Sequence, residues 1–122
     1  MTAKMERYEM HAEMFSALAN TTRHALFHEL CHSEATVSEL ALRLSVSRPN
    51  VSQHLAILNS HELVRRRHSN GRVLWSVTDP RLIHACDLVE EVLGSRLQRD
   101  LATVDRHITL YALPGMSSGR LS

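Results

Sequence analysis

The amino-acid sequence predicts a mainly α-helical domain with a small β-hairpin, and three observations lead to that fold class. Two segments of helical periodicity stand on either side of a short turn at Ser45 and Val46. Asn70-Gly71 then marks a two-residue turn between two segments rich in valine and arginine, which is typical of a hairpin. Helix, tight turn, helix and arginine-bearing hairpin in this order predict a winged helix-turn-helix, an architecture that binds DNA.

The first helix of this pair is predicted to begin just after Thr36. Thr36 followed by Glu39 is a capping box, in which each side chain accepts a hydrogen bond from the backbone of the other residue. The apolar face of this helix is expected to consist of Leu40, Ala41 and Leu44.

The second helix is predicted to begin after Ser47, its N-cap, and Pro49 fits the first turn, where a missing N–H costs little. The stripe that faces the core is apolar and consists of Val51, Leu55 and Leu58. The opposite stripe is small and uncharged with one amide, and consists of Pro49, Ser52, Gln53 and Ala56. Because a glutamine can pair bidentately with adenine and a serine can bond to base edges, this outer stripe is expected to enter the major groove.

The hairpin carries a basic face. Counting back from the turn pairs Val64 with Val77, Arg66 with Trp75, and His68 with Val73. The face expected to be buried consists of Val64, Val73, Trp75 and Val77. Arg66 can then lie over the Trp75 ring as a cation–π pair, while Arg67 faces the other way and Arg72 flanks the tip. On an isolated hairpin such arginines would be a solvated edge that blocks strand pairing, but after a helix-turn-helix they favour DNA contact.

Charge is segregated along the chain, although the formal net charge is only +1. Residues 1–40 carry three basic and six acidic residues, a net −3, and residues 43–75 carry six arginines and one glutamate, a net +5. A basic middle between acidic ends indicates a polyanionic partner. The residues expected to contact double-stranded DNA are Ser47, Arg48, Asn50, Ser52, Gln53, His54, Arg67, Asn70 and Arg72.

At 122 residues the chain is expected to form one domain over residues 4–110, followed by a flexible tail over residues 113–122. No apolar run is long enough to span a membrane, and the first residues lack a hydrophobic signal core, so a cytoplasmic location is expected. The two cysteines, Cys31 and Cys86, are too few for a disulfide framework and are expected to be thiols there.

The flanking segments are predicted to be helices that join two copies of the chain. Helical spacing relates five apolar residues near the start: Met5, Tyr8, Ala12, Phe15 and Leu18. Asn20 is expected to cap a second helix that reaches about Ser33, and Pro80 is expected at the first position of the last helix. A long apolar stripe then follows: Leu82, Cys86, Val89, Leu93, Leu97, Leu101, Val104 and Ile108. One alternative is a long core helix that folds over its own domain. The length of the stripe instead favours a homodimer that forms through the first and last helices.

The chain resembles the ArsR/SmtB family of bacterial repressors over about residues 12–93. Its most specific matching segments are LANTTR, SRPNVSQHLAIL and LVRRRHSNGRVLWSV. The resemblance implies a homodimer that binds an operator and leaves it when a metal ion or another inducer binds. The sites that the family uses for metals are altered here, because Arg81 stands where a histidine is expected and Thr36 and Ser38 stand where cysteines are expected.

Two candidate effector sites remain open. His28 and His32 are one helical turn apart, so two such helices near a dimer axis could hold a transition metal such as Zn²⁺, Ni²⁺ or Co²⁺. The alternative is a solvated histidine face. Some relatives sense oxidants or reactive sulfur through one cysteine in each of the two helices that hold Cys31 and Cys86, although Cys86 lies in the apolar stripe, where a cysteine is usually inert packing.

Two other classes of function compete with the DNA-binding interpretation. The segment HELCH, residues 28–32, matches the H-E-x-x-H signature of zinc proteases and suggests a small helical metal-dependent hydrolase. Because no third-ligand pattern follows it, we do not expect an enzyme. The other alternative is a winged-helix module that binds a protein and has no role with DNA.

Overall fold

A computed structural model describes the backbone of residues 2–110 and the side chains of residues 2–103. Seven elements follow along the chain: α1 (Ala3–Leu18), α2 (Thr21–His32), α3 (Val37–Leu44), α4 (Arg48–Ser60), β1 (Val64–Ser69), β2 (Arg72–Val77) and α5 (Leu82–Leu110). They divide into two compact units, the first ending at Pro80 and the second beginning at Arg81. The tail expected over residues 113–122 lies outside the described residues.

The starts of α2 and α3 are capped by the side chains that the sequence indicated. The Asn20 side-chain oxygen accepts from the Arg23 N–H at 3.1 Å and caps α2. In the capping box of α3, the Glu39 N–H donates to Thr36 Oγ1 at 3.2 Å and the Thr36 N–H donates to Glu39 Oε1 at 3.3 Å. These predicted caps are confirmed.

The turn between α3 and α4 is as short as predicted. Ser45 ends α3 in the left-handed conformation, with a φ of 54°. Ser47 then caps α4 by accepting from the Asn50 N–H at 3.3 Å, and Pro49 lies in the first helical turn. The short turn therefore keeps α3 and α4 side by side as a helix-turn-helix.

The hairpin has the predicted register, in which Val64 faces Val77 and Arg66 faces Trp75. Asn70 and Gly71 have φ values of 50° and 74°, the combination that a type I′ turn requires. An isolated bridge also attaches the loop between α2 and α3 to β2. In it the Ala35 N–H donates to the Trp75 carbonyl at 3.1 Å, and the Trp75 N–H donates back to the Ala35 carbonyl at 2.8 Å. The sequence did not predict this bridge.

The core of the first unit lies where α2, α3 and α4 meet the hairpin. Its largest fully buried side chains are Leu26, Phe27, Leu40, Val51, Leu55, Leu58 and Val64. Trp75 is buried as well, while Val73 and Val77 are half-buried, so the predicted inner face of the hairpin is confirmed most strongly at Val64 and Trp75. Together these side chains anchor α4 along its whole inner stripe.

The helices at the two ends expose much of their apolar surface. In α1 only Ala17 and Leu18 are buried, and Phe15 remains 61% exposed. In α5 the side chains of Leu93 and Leu97 are 51% and 59% exposed. No described helix is both long and apolar enough to cross a membrane.

The predicted start of the last helix was wrong by two residues. The helix begins at Leu82, and Pro80 and Arg81 form a turn before it. The fixed φ of a proline suits the second position of a β-turn as well as the first position of a helix, so the sequence signal was ambiguous between the two.

Shortening a core side chain of α4 should destabilise the first unit far more than shortening an exposed one. We expect Leu55→Ala to lower the free energy of unfolding by about 2–5 kcal/mol, since Leu55 is fully buried and its loss leaves a cavity. Leu42→Ala is the matched control, because Leu42 on α3 is 83% exposed. Urea denaturation followed by circular dichroism measures both. Equal losses for the two variants would contradict the burial of Leu55 in the core.

Candidate nucleic-acid interface

The outward stripe of α4 is the geometric centre of the candidate interface. Val51, Leu55 and Leu58 are fully buried. Since a helix turns by 100° per residue, this burial directs the opposite stripe to solvent. All four predicted members of that stripe are exposed: Pro49, Ser52, Gln53 and Ala56. A helix with small side chains and one amide on its exposed face can approach base edges closely.

The start of α4 adds a second element that suits an anion. Ser47 and Arg48 are exposed at the helix N-terminus, and Asn50 is half-buried. Backbone N–H groups at a helix start, together with the helix dipole, favour phosphate. The predicted residues at this end of α4 therefore lie together beside the outer stripe.

His54 has a different environment from its neighbours in the predicted set. It is half-buried, and its Nδ1 lies 3.4 Å from Arg23 Nη1. Arg23 in turn donates from Nε to the Ala17 carbonyl at 2.6 Å. This polar chain links the end of α1, the start of α2 and the middle of α4. The sequence indicated no role for Arg23, because its partner His54 is 31 residues away along the chain.

The hairpin places its arginines on both faces. Arg66 lies over the Trp75 ring, with its guanidinium carbon 6.0 Å from the ring centroid, as predicted. Because side chains alternate along a strand, Arg65, Arg67 and Arg72 share the other face in the observed register. Asn70 is exposed at the tip between the strands.

Two arginines of that face are paired with carboxylates. The Arg67 guanidinium forms a bidentate pair with Glu34, in which Nε and Nη2 donate at 2.8 and 2.9 Å to the two carboxylate oxygens. Arg72 Nη2 donates to Glu39 Oε1 at 2.6 Å. The arginine side chains nevertheless keep 55% and 58% of their surface exposed. The sequence did not predict these pairs.

The surroundings of both carboxylates favour their charged form. The hydrogen bond from Arg67 lowers the pKa of Glu34 below its ordinary value, and the charges of Arg67 and Arg65 add to the effect. The hydrogen bonds from the Thr36 side chain and backbone lower the pKa of Glu39, with smaller contributions from the charges of Arg72 and Arg43. Both groups are therefore anions at neutral pH.

The candidate metal ligands on α2 form a pair. The rings of His28 and His32 meet edge to face, with centroids 4.9 Å apart, and both side chains are exposed. Within the described part of the chain, no group of three or more histidine, cysteine or acidic side chains is placed to hold a metal ion. Glu29, the general base that a hydrolase would need, lies 4.0 Å from Arg43 Nη1. One chain therefore offers two imidazoles here, short of the three protein ligands typical of catalytic zinc.

The two cysteines are half-buried thiols, Cys31 on α2 and Cys86 on α5. Burial raises the pKa of the Cys86 thiol, and the negative charge of Asp87 raises it further. Since the thiolate is the reactive form, these surroundings suppress the reactivity of Cys86 at neutral pH.

Comparisons with known proteins identify relatives of this chain. The sequence profile described as "Bacterial regulatory protein, arsR family" matches residues 20–66. The chain is 41% identical over 76 residues to the HTH-type transcriptional regulator Rv2034 of Mycobacterium tuberculosis, covering 62% of this chain and 70% of that protein. It is 36% identical over 96 residues to the transcriptional repressor SmtB homolog of Synechocystis sp., covering 79% of this chain and 70% of that protein.

A solved structure shows the same fold. It is the homodimeric winged helix-turn-helix DNA-binding domain of a possible ArsR-family transcriptional regulator from Mycobacterium bovis. It matches with a TM-score of 0.71 at 23% identity, covering 81% of this chain and 93% of that one. The predicted winged helix-turn-helix fold is confirmed.

Proposed function

The chain belongs to the arsR family of bacterial regulatory proteins, and we propose that it represses transcription by placing α4 in the major groove of operator DNA. Its resemblance to the ArsR/SmtB family, seen in the sequence, is confirmed, and its function as a DNA-binding transcriptional regulator follows from that membership. The observation that carries the docking mode is the exposed polar stripe of α4, directly opposite a fully buried apolar stripe.

The proposed contacts are of two kinds, those to base edges and those to the phosphate backbone. Ser52 and Gln53 face base edges, where a serine or a glutamine can form specific hydrogen bonds. The contacts to the phosphate backbone come from the helix start and the hairpin: Ser47, Arg48, Asn50, Arg67, Asn70 and Arg72. Such backbone contacts position the protein without reading sequence. His54 is half-buried beside Arg23, so we propose that it acts by orienting α4.

Gln53→Ala and Arg72→Ala should weaken DNA binding in different ways. Loss of the amide should cost about 1–3 kcal/mol for a selected operator and relax base preference at one position. Loss of the Arg72 guanidinium should weaken operator and random duplex alike, and should flatten the dependence of log K on log salt by about one unit. Fluorescence anisotropy on an operator selected from a random duplex library measures both.

Gln98→Ala on α5 is the matched control for Gln53→Ala, since it removes an exposed amide outside the helix-turn-helix. It should leave base preference unchanged. Operator binding by Gln53→Ala and Arg72→Ala that equals parental binding would refute the docking mode.

We propose that the regulator is a homodimer that forms through α1 and α5. The support is the apolar surface that both helices expose, which includes Phe15, Leu93 and Leu97. Large apolar side chains exposed on a helix in this way mark an interaction site. A dimer also places two α4 helices on successive half-sites, about 34 Å apart, and so explains how short recognition helices achieve tight binding.

A charge in the proposed interface should dissociate the dimer. We expect Leu93→Asp to yield a monomer that no longer binds the operator, because an aspartate would be left unpaired in a dry contact. Ser95→Asp adds the same charge on the opposite side of α5 and should remain dimeric. Sedimentation equilibrium gives the mass of each variant. A parent protein that sediments as a stable monomer would exclude this assembly.

We also propose that an effector releases the operator, and two candidates differ in chemistry. The His28–His32 pair offers two imidazoles, so a tetrahedral Zn²⁺, Ni²⁺ or Co²⁺ site would need ligands from both protomers. Oxidation of Cys31 and Cys86 is the other candidate, although the raised pKa of Cys86 disfavours it. No observation on α2 favours the hydrolase alternative, because the described residues of this helix pair two imidazoles, and a catalytic zinc site typically needs three protein ligands.

An operator-release assay with two double variants separates these candidates. If a metal ion is the effector, alanine at His28 and His32 should abolish release, and serine at both cysteines should preserve it. Release should also weaken on acidification, since protons compete with the metal for imidazole. If a thiol switch operates, the serine variant should be inert and a dithiol should reverse the parent's response. Parental release by both double variants would eliminate both sites.

A further inference from the structure

The pairs between the hairpin and the carboxylates of Glu34 and Glu39 bear directly on DNA binding. Arg67 uses the Nε and Nη2 donors of its fork on Glu34, and Arg72 uses Nη2 on Glu39. A guanidinium fork binds carboxylate and phosphate with the same bidentate geometry. Some of the donors that would meet DNA phosphate are therefore already engaged within the protein.

The fold fixes both carboxylates beside the hairpin. Glu34 directly precedes Ala35, and Ala35 is fully buried in its two-hydrogen-bond bridge to Trp75 of β2. Glu39 is held at the start of α3 by the capping box with Thr36. The backbone of each acidic residue is thus positioned independently of its arginine. Glu34 and Glu39 consequently stay beside the hairpin whether or not their arginines are engaged.

We propose that Glu34 and Glu39 are resident competitors of DNA phosphate for Arg67 and Arg72, and that they limit the affinity of the hairpin for DNA of any sequence. This inference rests on the proposed docking mode, in which the hairpin meets the phosphate backbone. Its functional consequence is selectivity. Random duplex DNA attracts the protein through phosphate contacts, so weaker hairpin contacts leave more of the binding energy to α4.

The exposure of the pairs and the net charge around them both favour reversible competition between carboxylate and phosphate over permanent ion pairs. The Glu34 and Glu39 side chains are 40% and 38% exposed, so water, salt and a phosphate can all reach the pairs. This face of the hairpin has three arginines, Arg65, Arg67 and Arg72, against the two carboxylates, a net charge of +1. Neutralising one carboxylate doubles that charge to +2 without altering any arginine.

Glu34→Gln tests the proposal with a side chain of the same shape. Against a random-sequence 40-base-pair duplex, we expect binding about two- to fivefold tighter than the parent, because an exposed ion pair is worth a modest energy. The slope of log K against log salt should steepen by about one unit as Arg67 engages a phosphate. Glu29→Gln removes the same charge from a carboxylate that lies 4.0 Å from Arg43 and has Arg43 in place of Arg67 as its ion-pair partner, so it should give a smaller change without the steeper slope.

The same substitution in an Arg67→Gln protein tests whether the gain in affinity comes from the Glu34–Arg67 pair. In an Arg67→Gln protein, adding Glu34→Gln should give no gain beyond that of Glu29→Gln, because the competing donor is gone. Glu39→Gln should also tighten binding, since a glutamine preserves the capping box while it frees Arg72 and also Arg43, whose Nη2 lies 3.6 Å from Glu39 Oε2. Thermal denaturation of each variant establishes that it is folded.

The outcomes separate this inference from the docking mode. If the parent binds duplex DNA but Glu34→Gln binds it equally or more weakly, the competitor role is overturned and the docking mode stands. An undiminished gain in the Arg67→Gln background overturns the role too. If the parent binds no duplex DNA in 50 mM salt, the proposed function fails, and this inference fails with it.

Discussion

Burial of the inner stripe of α4 is the constraint on which the candidate interface depends. Val51, Leu55 and Leu58 have no exposed surface, so the helix cannot rotate about its axis without bringing apolar side chains into water. The direction in which the Gln53 side chain points is therefore set by the buried stripe on the other side of α4, to which Gln53 does not belong. A side chain that must recognise a base edge benefits from such support, because rigid elements hold a functional group more accurately than loops do.

The bridge between Ala35 and Trp75 extends that constraint to the hairpin. A two-stranded hairpin is marginally stable alone, and here its β2 edge is bonded to the loop that precedes α3. The buried Trp75 side chain adds packing at the same point. The hairpin is consequently fixed relative to the helix-turn-helix, and its arginines have defined positions with respect to α4.

Local signals account for the parts of the fold that could be predicted from the sequence. The capping box at Thr36, the turn at Asn70-Gly71 and the stripe of α4 each involve residues within a few positions of one another. They therefore predicted helix starts, strand register and the exposed face. Pro80 failed as a local signal, because its fixed φ is compatible with both a turn and a helix start. The DNA contacts and effector sites themselves stay predictions.

The contacts that escaped prediction join residues far apart along the chain. Arg67 is 33 residues from Glu34, and His54 is 31 residues from Arg23. No periodicity connects such pairs, so a charge count along the sequence assigned the glutamates to an acidic end and the arginines to a basic middle. The fold brings the two groups together. The +5 charge of residues 43–75 consequently overstates the field that DNA meets at the hairpin, where carboxylates from the acidic segment lie beside the arginines.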